Sequence, residues 1–142
     1  MTSPLDERAH AAAIEALVSA AIGTEENGDA RVYDYGKVPG ADGNDGVLPR
    51  IYALVSIERR AGVTNLKVGR TSRSGWRLTI RYVGHTTNEA RWAGLQIAVA
   101  VNEKQITIGS TEPSTPITHE STTAVAPDGG LYSGLVQYTY AL

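Results

Sequence analysis

Hydrophobic positions recur at helical spacing in two stretches of the chain, and the first of these covers residues 5–23. Its periodic apolar positions are Leu5, Ala9, Ala13, Ala16 or Leu17, and Ala20. This stripe predicts an amphipathic helix, and alanine has the highest helix propensity. Asp6 and Glu7 favour the positive N-terminus of such a helix, and Gly23 is the residue type that often ends one.

The second helical stretch covers residues 87–104. Thr86 with Glu89 three residues later predicts a capping box at its start. The apolar stripe that follows consists of Ala90, Ala93 or Gly94, Ile97, Ala98 and Val101. Its small residues allow close approach to a sheet, and Trp92, in the same largely apolar helix, is expected in the core.

Other stretches have the patterns of β-strands. Residues 76–82 alternate strictly, so that one face is apolar and the other carries Arg77 and Arg81. Residues 50–60 are nearly continuous in apolar side chains, which predicts a strand inside the sheet. Further strands are predicted at residues 31–38, 66–69, 105–109, 118–126 and 131–142, with a hairpin turn at 126–130.

The order of these elements predicts an α+β fold in a single domain that spans residues 1–142. A mainly antiparallel or mixed β-sheet is expected, packed by an N-terminal helix and a central helix. Glycines and prolines between residues 39 and 49 predict a flexible loop there. Tyr132, Tyr138 and Tyr140 share one face of the last strand, which predicts a core or interface face.

Composition removes several classes of function. The chain of 142 residues has no cysteine, so disulfides, thiol nucleophiles and thiolate metal sites are absent. The first residues lack the basic start and apolar run of a secretory signal, and no segment is apolar enough for a membrane span. We therefore expect a soluble protein with no membrane partner.

Charge is separated along the chain although the net charge is only −2. Residues 25–45 are mostly acidic, and residues 50–81 carry arginines and one lysine against the single acid Glu58. Separate acidic and basic sectors suit copies that meet head to tail, because one sector of each copy can face the opposite sector of the next.

The sequence has few signs of catalytic or metal-binding residues. The three histidines, His10, His85 and His119, lie far apart without a local metal spacing, and we expect turn or solvated positions for them. Residues 42–46 alternate oxygen-bearing side chains with glycine but lack the spacing of a calcium loop. No catalytic, cofactor-binding or metal-binding residue is predicted, and no enzyme activity is expected.

Four arginines remain as candidate contacts. Arg70 and Arg73 lie in a basic loop that resembles an anion cradle but lacks the lysine and hydroxyl of a phosphate loop. Arg77 and Arg81 share the polar face of a strand that carries no aromatic residue for base stacking. Salt bridges to a neighbouring subunit and a simple solvated face both remain open for this pair.

The whole pattern resembles the tail terminator proteins of long-tailed bacteriophages (siphoviruses), particularly those infecting actinobacteria. The resemblance rests on the alanine-rich first helix and on the stretches GWRLTIRYVGHTTNEARWAG, TPITHEST and GLYSGLVQYTYAL. It covers nearly the full chain, but no chemical motif specific to the family carries it.

The resemblance implies a small α/β protein that forms a hexameric ring on the end of the tail tube. Such a ring stops tube polymerisation and presents a surface for joining the head, so its partners are copies of itself, the tail tube protein and head–tail connector proteins. DNA passes through the ring without sequence-specific binding. The expected location is the head-proximal end of the virion tail, after assembly in the host cytoplasm.

Two alternatives stay open besides a small hydrolase, which would require the fold to bring His85 or His119 to a carboxylate in a pocket. A head-closure or connector protein of the same particle shares the small size and ring symmetry. A small nucleic-acid-binding module using the basic sector of residues 50–81 is the other, and its binding would weaken steeply with salt.

Overall fold

The computed structural model describes residues 3, 5–34, 37–41, 43–60, 66–68, 71–109 and 112–142, with the backbone alone described for 66–68 and 71–73. Within these residues the chain forms two helices and seven strands. In chain order they are α1 (Glu7–Ile22), β1 (Val32–Tyr33), β2 (Ile51–Arg59), β3 (Leu66–Val68), β4 (Thr71–Arg73), β5 (Gly75–Gly84), α2 (Thr87–Val101), β6 (Thr118–Asp128) and β7 (Leu131–Ala141).

Five of the described strands form one sheet in the order β1-β2-β5-β7-β6, and β3 pairs with β4 in a separate hairpin. β1 runs parallel to β2, whereas the other neighbours in the large sheet are antiparallel. The α+β fold with a mixed, mainly antiparallel sheet is therefore confirmed. β2 has a neighbour on each side, as its continuous apolar run predicts.

Both helices pack on the same face of the sheet. The alternation predicted for β5 is confirmed, because Trp76, Leu78, Ile80 and Tyr82 are buried in the main core. α1 adds Ile14 and Val18 to that core, and α2 adds Ala93, Ile97 and Val101.

The helix ends follow the capping signals. The Asp6 carboxylate accepts a hydrogen bond from the Arg8 backbone N–H at the start of α1, and Gly23 ends that helix with a φ of 68°. Thr86 Oγ1 accepts the Glu89 backbone N–H at 3.1 Å, which is one half of the predicted capping box. The Glu89 carboxylate pairs with Arg50, its Oε2 lying 2.5 Å from Nε.

A second, smaller apolar cluster lies on the opposite face of the sheet. Val38 packs there with Tyr52, Leu54 and Val83, and Leu48 joins them from the other end of the loop. Inside this loop Asn44 donates its side-chain amide to the Val38 carbonyl at 2.9 Å. The loop is thus anchored at both ends, and its flexibility stays a prediction.

Two predicted strands differ from the structure. Residues 105–109 form no strand, although Ile106 and Ile108 are buried and the Ser114 N–H donates to the Ile106 carbonyl at 2.7 Å. Among the described residues of 31–38, β1 alone forms a strand, because Val32 and Tyr33 are the described positions in register with β2. Strand-forming side chains were present in both stretches, but a regular ladder also needs a partner strand.

The closing hairpin is as predicted. β6 and β7 are joined by Gly129 and Gly130, whose φ angles of 58° and 86° are those of a two-residue turn that favours glycine. β6 forms an edge of the sheet, has two register irregularities and exposes nearly every side chain. This strand therefore has little cover on either face.

Candidate interaction surfaces

The polar face of the sheet brings the predicted arginines together with acids from neighbouring strands. On β5, Arg77 Nη2 lies 3.0 Å from Glu120 Oε1 on β6, and Arg77 Nη1 lies 3.7 Å from Glu58 Oε1 on β2. Arg81 pairs with Asp128 at the other end of β6. These ion pairs join three strands of one chain across the sheet.

Uncharged side chains continue this network between the two arginines. Gln137 on β7 donates to Thr79 Oγ1 at 3.2 Å and accepts from Ser121 Oγ at 3.1 Å. Ser133 donates to the Asp128 carboxylate at 3.0 Å. The face is a ladder of partnered polar groups, in which Arg77 keeps 32% and Arg81 34% of its side-chain surface exposed.

The predicted contact role of the arginines stays a prediction. Arg77 and Arg81 lie on one face, as the alternation of β5 indicates, and each has an acidic partner within its own chain. Arg73 lies on β4, where the backbone alone is described, and Arg70 lies outside the described residues. A neighbouring subunit that used Arg77 or Arg81 would have to share or replace the existing partners.

His10 occupies a position that the sequence did not suggest. Its ring is fully buried and stacks on Trp76, with 3.9 Å between the ring centroids. Its Nδ1 lies 2.7 Å from the hydroxyl oxygen of Tyr140, and burial raises the pKa of that hydroxyl, which therefore keeps its proton. The expected turn or solvated position is wrong for His10, because its ring is buried in the core, where it stacks on Trp76 and hydrogen-bonds to Tyr140.

The other two histidines are exposed, as expected. His85 Nδ1 lies 2.8 Å from the Arg50 carbonyl oxygen, and His119 Nε2 lies 2.5 Å from Thr122 Oγ1. Neither contact is with a carboxylate. In the part of the chain that the structure describes, no three His, Asp or Glu side chains are grouped so as to hold a metal ion.

The outer face of α2 carries the large exposed apolar side chains that the sequence analysis missed. Trp92 is 40% exposed, Leu95 61% and Val99 68%. The core position expected for Trp92 is wrong, because helical geometry turns it about 100° from Ala93 and about 140° from Ile97, which are buried. The spacing of Trp92, Leu95 and Val99 at three and four residues was the available signal for a second apolar stripe.

A groove of 260 Å³ runs between α2 and β6 beside this stripe. Tyr82, Val136 and Tyr138 contribute to it from the sheet, Leu95 and Ala98 from the helix, and Thr122 and Val125 from β6. Tyr82 fits because Gly94 and Gly134 approach its ring, and an added Cβ would lie 2.8 Å or 2.5 Å from Tyr82 Cε2. Two glycines therefore shape the region around the groove.

An acidic edge lies beside the β1–β2 end of the sheet. A depression of 340 Å³ is lined there by Glu25, Glu26, Asn27, Asp29, Arg31 and residues 47–50. Val47 projects with 77% of its surface exposed. Glu26 and Asp29 are exposed beside it, so this edge combines an apolar projection with negative charge.

Arg31 connects this edge to both helices. Its Nη1 donates to the Ile22 carbonyl at 2.6 Å at the end of α1, and its Nη2 lies 2.7 Å from Glu25 Oε2. The guanidinium carbon lies 5.9 Å from the centroid of the Trp92 ring, within cation–π range. Trp92 thus has Arg31 beside its ring and still keeps 40% of its surface exposed.

The described helices are too short and too polar to cross a lipid bilayer.

Comparisons with known proteins yielded a structural likeness. No protein-family model matches the chain, and no curated protein matches it. One solved structure, described as the virion of a native gene transfer agent (GTA) particle, contains a chain with the same fold at a TM-score of 0.67. The match covers 98% of both chains at 16% sequence identity, so the two chains share a fold over their whole lengths.

Proposed function

We propose that this protein is a structural virion protein that acts as a phage tail terminator, a hexameric ring that caps the tail tube. The observation that carries the proposal is the fold shared over 98% of each chain with a component of a phage-like particle. The sequence resemblance to tail terminators supports the more specific role.

The surfaces of the chain support assembly. Monomeric soluble proteins seldom expose large contiguous apolar patches, and the outer face of α2 exposes Trp92, Leu95 and Val99 together. β6 is a long edge strand with exposed side chains on both faces. Both features suit a chain that buries further surface against other copies.

The proposed ring ends polymerisation of the tail tube protein and offers its other face to head–tail connector proteins. DNA passes through the ring without sequence-specific recognition, at the head-proximal end of the tail, and assembly takes place in the host cytoplasm. Arg70, Arg73, Arg77 and Arg81 are the proposed contacts to a neighbouring subunit or to the tube.

Electron microscopy of the concentrated protein, with class averages, is the first test. Six-fold rings that cap purified tail tubes and stop their growth are the expected result. A protein that stays monomeric and leaves tube length unchanged would contradict the proposal.

Charge reversal tests the arginine contacts within this scheme. Replacing Arg77 and Arg81 together by glutamate is expected to abolish ring formation or tube capping. This change also breaks ion pairs within the chain. The control variant Arg77→Glu/Glu120→Arg therefore exchanges the two charges and keeps the ion pair between these positions. Unchanged assembly of the double Arg→Glu variant would remove both residues from the role.

A head-closure or connector protein is the second candidate, because the matching chain belongs to a whole particle and the likeness extends to the fold only. Tube capping separates the two roles, since a connector would form rings without ending tube growth. A nucleic-acid-binding module is less well supported, because Arg50, Arg77 and Arg81 already pair with acids of the same chain. Duplex DNA titrated at two salt concentrations tests it.

A further inference from the structure

Two complementary surfaces lie at opposite edges of the sheet. The groove between α2 and β6 is at the β6 edge, and the projecting Val47 lies beside the start of β2 near the other edge. β2 and β6 are separated by β5 and β7, which places them about three strand spacings, or ~14 Å, apart. The projection of one copy therefore lies far from its own groove.

The groove suits an apolar side chain next to negative charge. Leu95, Ala98 and Val125 supply apolar walls, and the exposed Arg91 and His119 also line the groove. Among the described residues Arg91 has no ion-pair partner, in contrast to Arg77 and Arg81. A positive charge beside an apolar groove selects an occupant that is apolar and acidic.

The acidic edge has that combination. Val47 is more exposed than any other large hydrophobic residue described, and Glu26 and Asp29 lie around the same depression. Glu26 likewise has no ion-pair partner within the described residues. Arg31 and Arg50 line the same depression, but they pair with Glu25 and Glu89. An exposed valine beside Glu26 and Asp29 therefore matches the groove in both polarity and charge.

We propose that Val47 of one copy seats in the α2–β6 groove of the next copy, with Arg91 facing Glu26 and Asp29. The contact joins two different patches, so it is heterologous and generates a ring when the rotation between copies closes. This inference rests on the proposed ring and identifies which surfaces form it. It assigns the subunit contact to the groove, which leaves the tail tube as the proposed partner of Arg77 and Arg81.

Disulfide trapping tests the contact directly, because the chain has no cysteine and introduced thiols have no competitor. The double variant Val47→Cys/Leu95→Cys is expected to form a ladder of linked copies under mild oxidation. A mixture of the two single variants is expected to form linked pairs only. A matched control places the second thiol at the exposed Lys104, which lies beyond Val101, where α2 ends ~9 Å along its axis from Leu95.

The expected yield of linked copies is at least about tenfold above that of Val47→Cys/Lys104→Cys, because a disulfide forms only when the Cα atoms approach within about 7 Å. Linkage by Leu95→Cys alone would indicate a symmetric contact and overturn the proposal.

Charge exchange provides an independent test. Arg91→Glu is expected to lower the ring fraction measured by mass photometry at least about tenfold, and adding Glu26→Arg and Asp29→Arg is expected to restore it. Arg59→Glu changes the net charge equally at another exposed position and is expected to leave the rings intact.

The outcomes separate the two proposals. If the protein forms rings but the Val47→Cys/Leu95→Cys variant links no better than the Lys104 control, the proposed contact is wrong. The proposed ring is then unaffected. A chain that forms no ring, alone or on tail tubes, would overturn the ring itself and this contact with it.

Discussion

The two helices pack on the same face of the sheet but differ in the side chains that they expose. α1 buries Ile14, Val18 and Ile22, and its exposed positions are small or polar. α2 likewise buries Ile97 and Val101, but it exposes Trp92, Leu95 and Val99. Folding alone explains the faces of α1, whereas it does not explain the exposed apolar face of α2.

This comparison separates residues that hold the fold from residues that present a surface. The inner faces of both helices should control the free energy of unfolding, and the outer face of α2 should control association. The following changes test that division, in order of decreasing expected effect on stability.

Truncation of the inner faces should destabilise the protein most. Ile14→Ala on α1 and Ile97→Ala on α2 each remove a fully buried side chain, and each is expected to cost about 2–5 kcal/mol. Urea unfolding followed by circular dichroism measures the loss. Leu95→Ala on the outer face of α2 is the control, and an equal loss there would break the distinction between the faces.

Adding a methyl group between α2 and the sheet should have an intermediate effect on stability. Gly94→Ala gains about 1 kcal/mol of helix propensity, but its Cβ would lie 2.8 Å from Tyr82 Cε2, and overpacking costs about 1–3 kcal/mol. We expect a net loss of stability by thermal unfolding. In a Tyr82→Leu background the same change should become stabilising, and a stabilising effect in the parent protein would show that the ring moves freely.

Arg31 connects α1 and α2, and the stability that this connection contributes should depend on pH through its ion-pair partner Glu25. Burial raises the pKa of this carboxyl, but the Arg50 backbone N–H and the Arg31 guanidinium outweigh burial and hold the pKa below its ordinary value of 4.5. Because the folded pKa is the lower one, this contribution is present above 4.5 and is lost as pH falls through the folded value.

The melting temperature should therefore fall more steeply with acid in the parent protein than in Glu25→Gln. That variant lacks the titrating carboxyl but keeps a side chain of similar size. Parallel acid profiles of the two proteins would exclude Glu25 as the source of the dependence.

Changes on the outer face of α2 should affect folding least. Val99→Ser is expected to change the free energy of unfolding by no more than about 0.5 kcal/mol, because the side chain is already 68% exposed. The same substitution is expected to lower the fraction of assembled protein in sedimentation. Ala16→Ser on the exposed face of α1 is the matched control, and an equal loss of assembly there would contradict the comparison.

Local patterns in the sequence predicted the elements that depend on local physics. Both helices, the alternation of β5 and the turn at Gly129 and Gly130 follow from periodicity, capping residues and turn chemistry. No such local rule shows that residues 105–109, which were predicted to form a strand, do not form one. Their apolar residues are buried, but a strand also requires a partner in register, which the local pattern does not encode.

The candidate surface divides in the same way. Alternation placed Arg77 and Arg81 on one polar face, but the register of β2, β5 and β6 decided which acids they meet. Trp92 was misplaced because α2 is apolar on both sides, and helical spacing alone does not tell which side faces the sheet.

By itself the sequence determined the composition of each face and the boundaries of its most periodic elements, because neighbouring residues set those properties. Only the tertiary structure decided which faces are covered. The strand order places β6 at the sheet edge beside α2, leaves the groove between them open, and puts the acidic edge at the other side of the sheet. Those relations depend on contacts between distant segments, which no local pattern of side chains specifies.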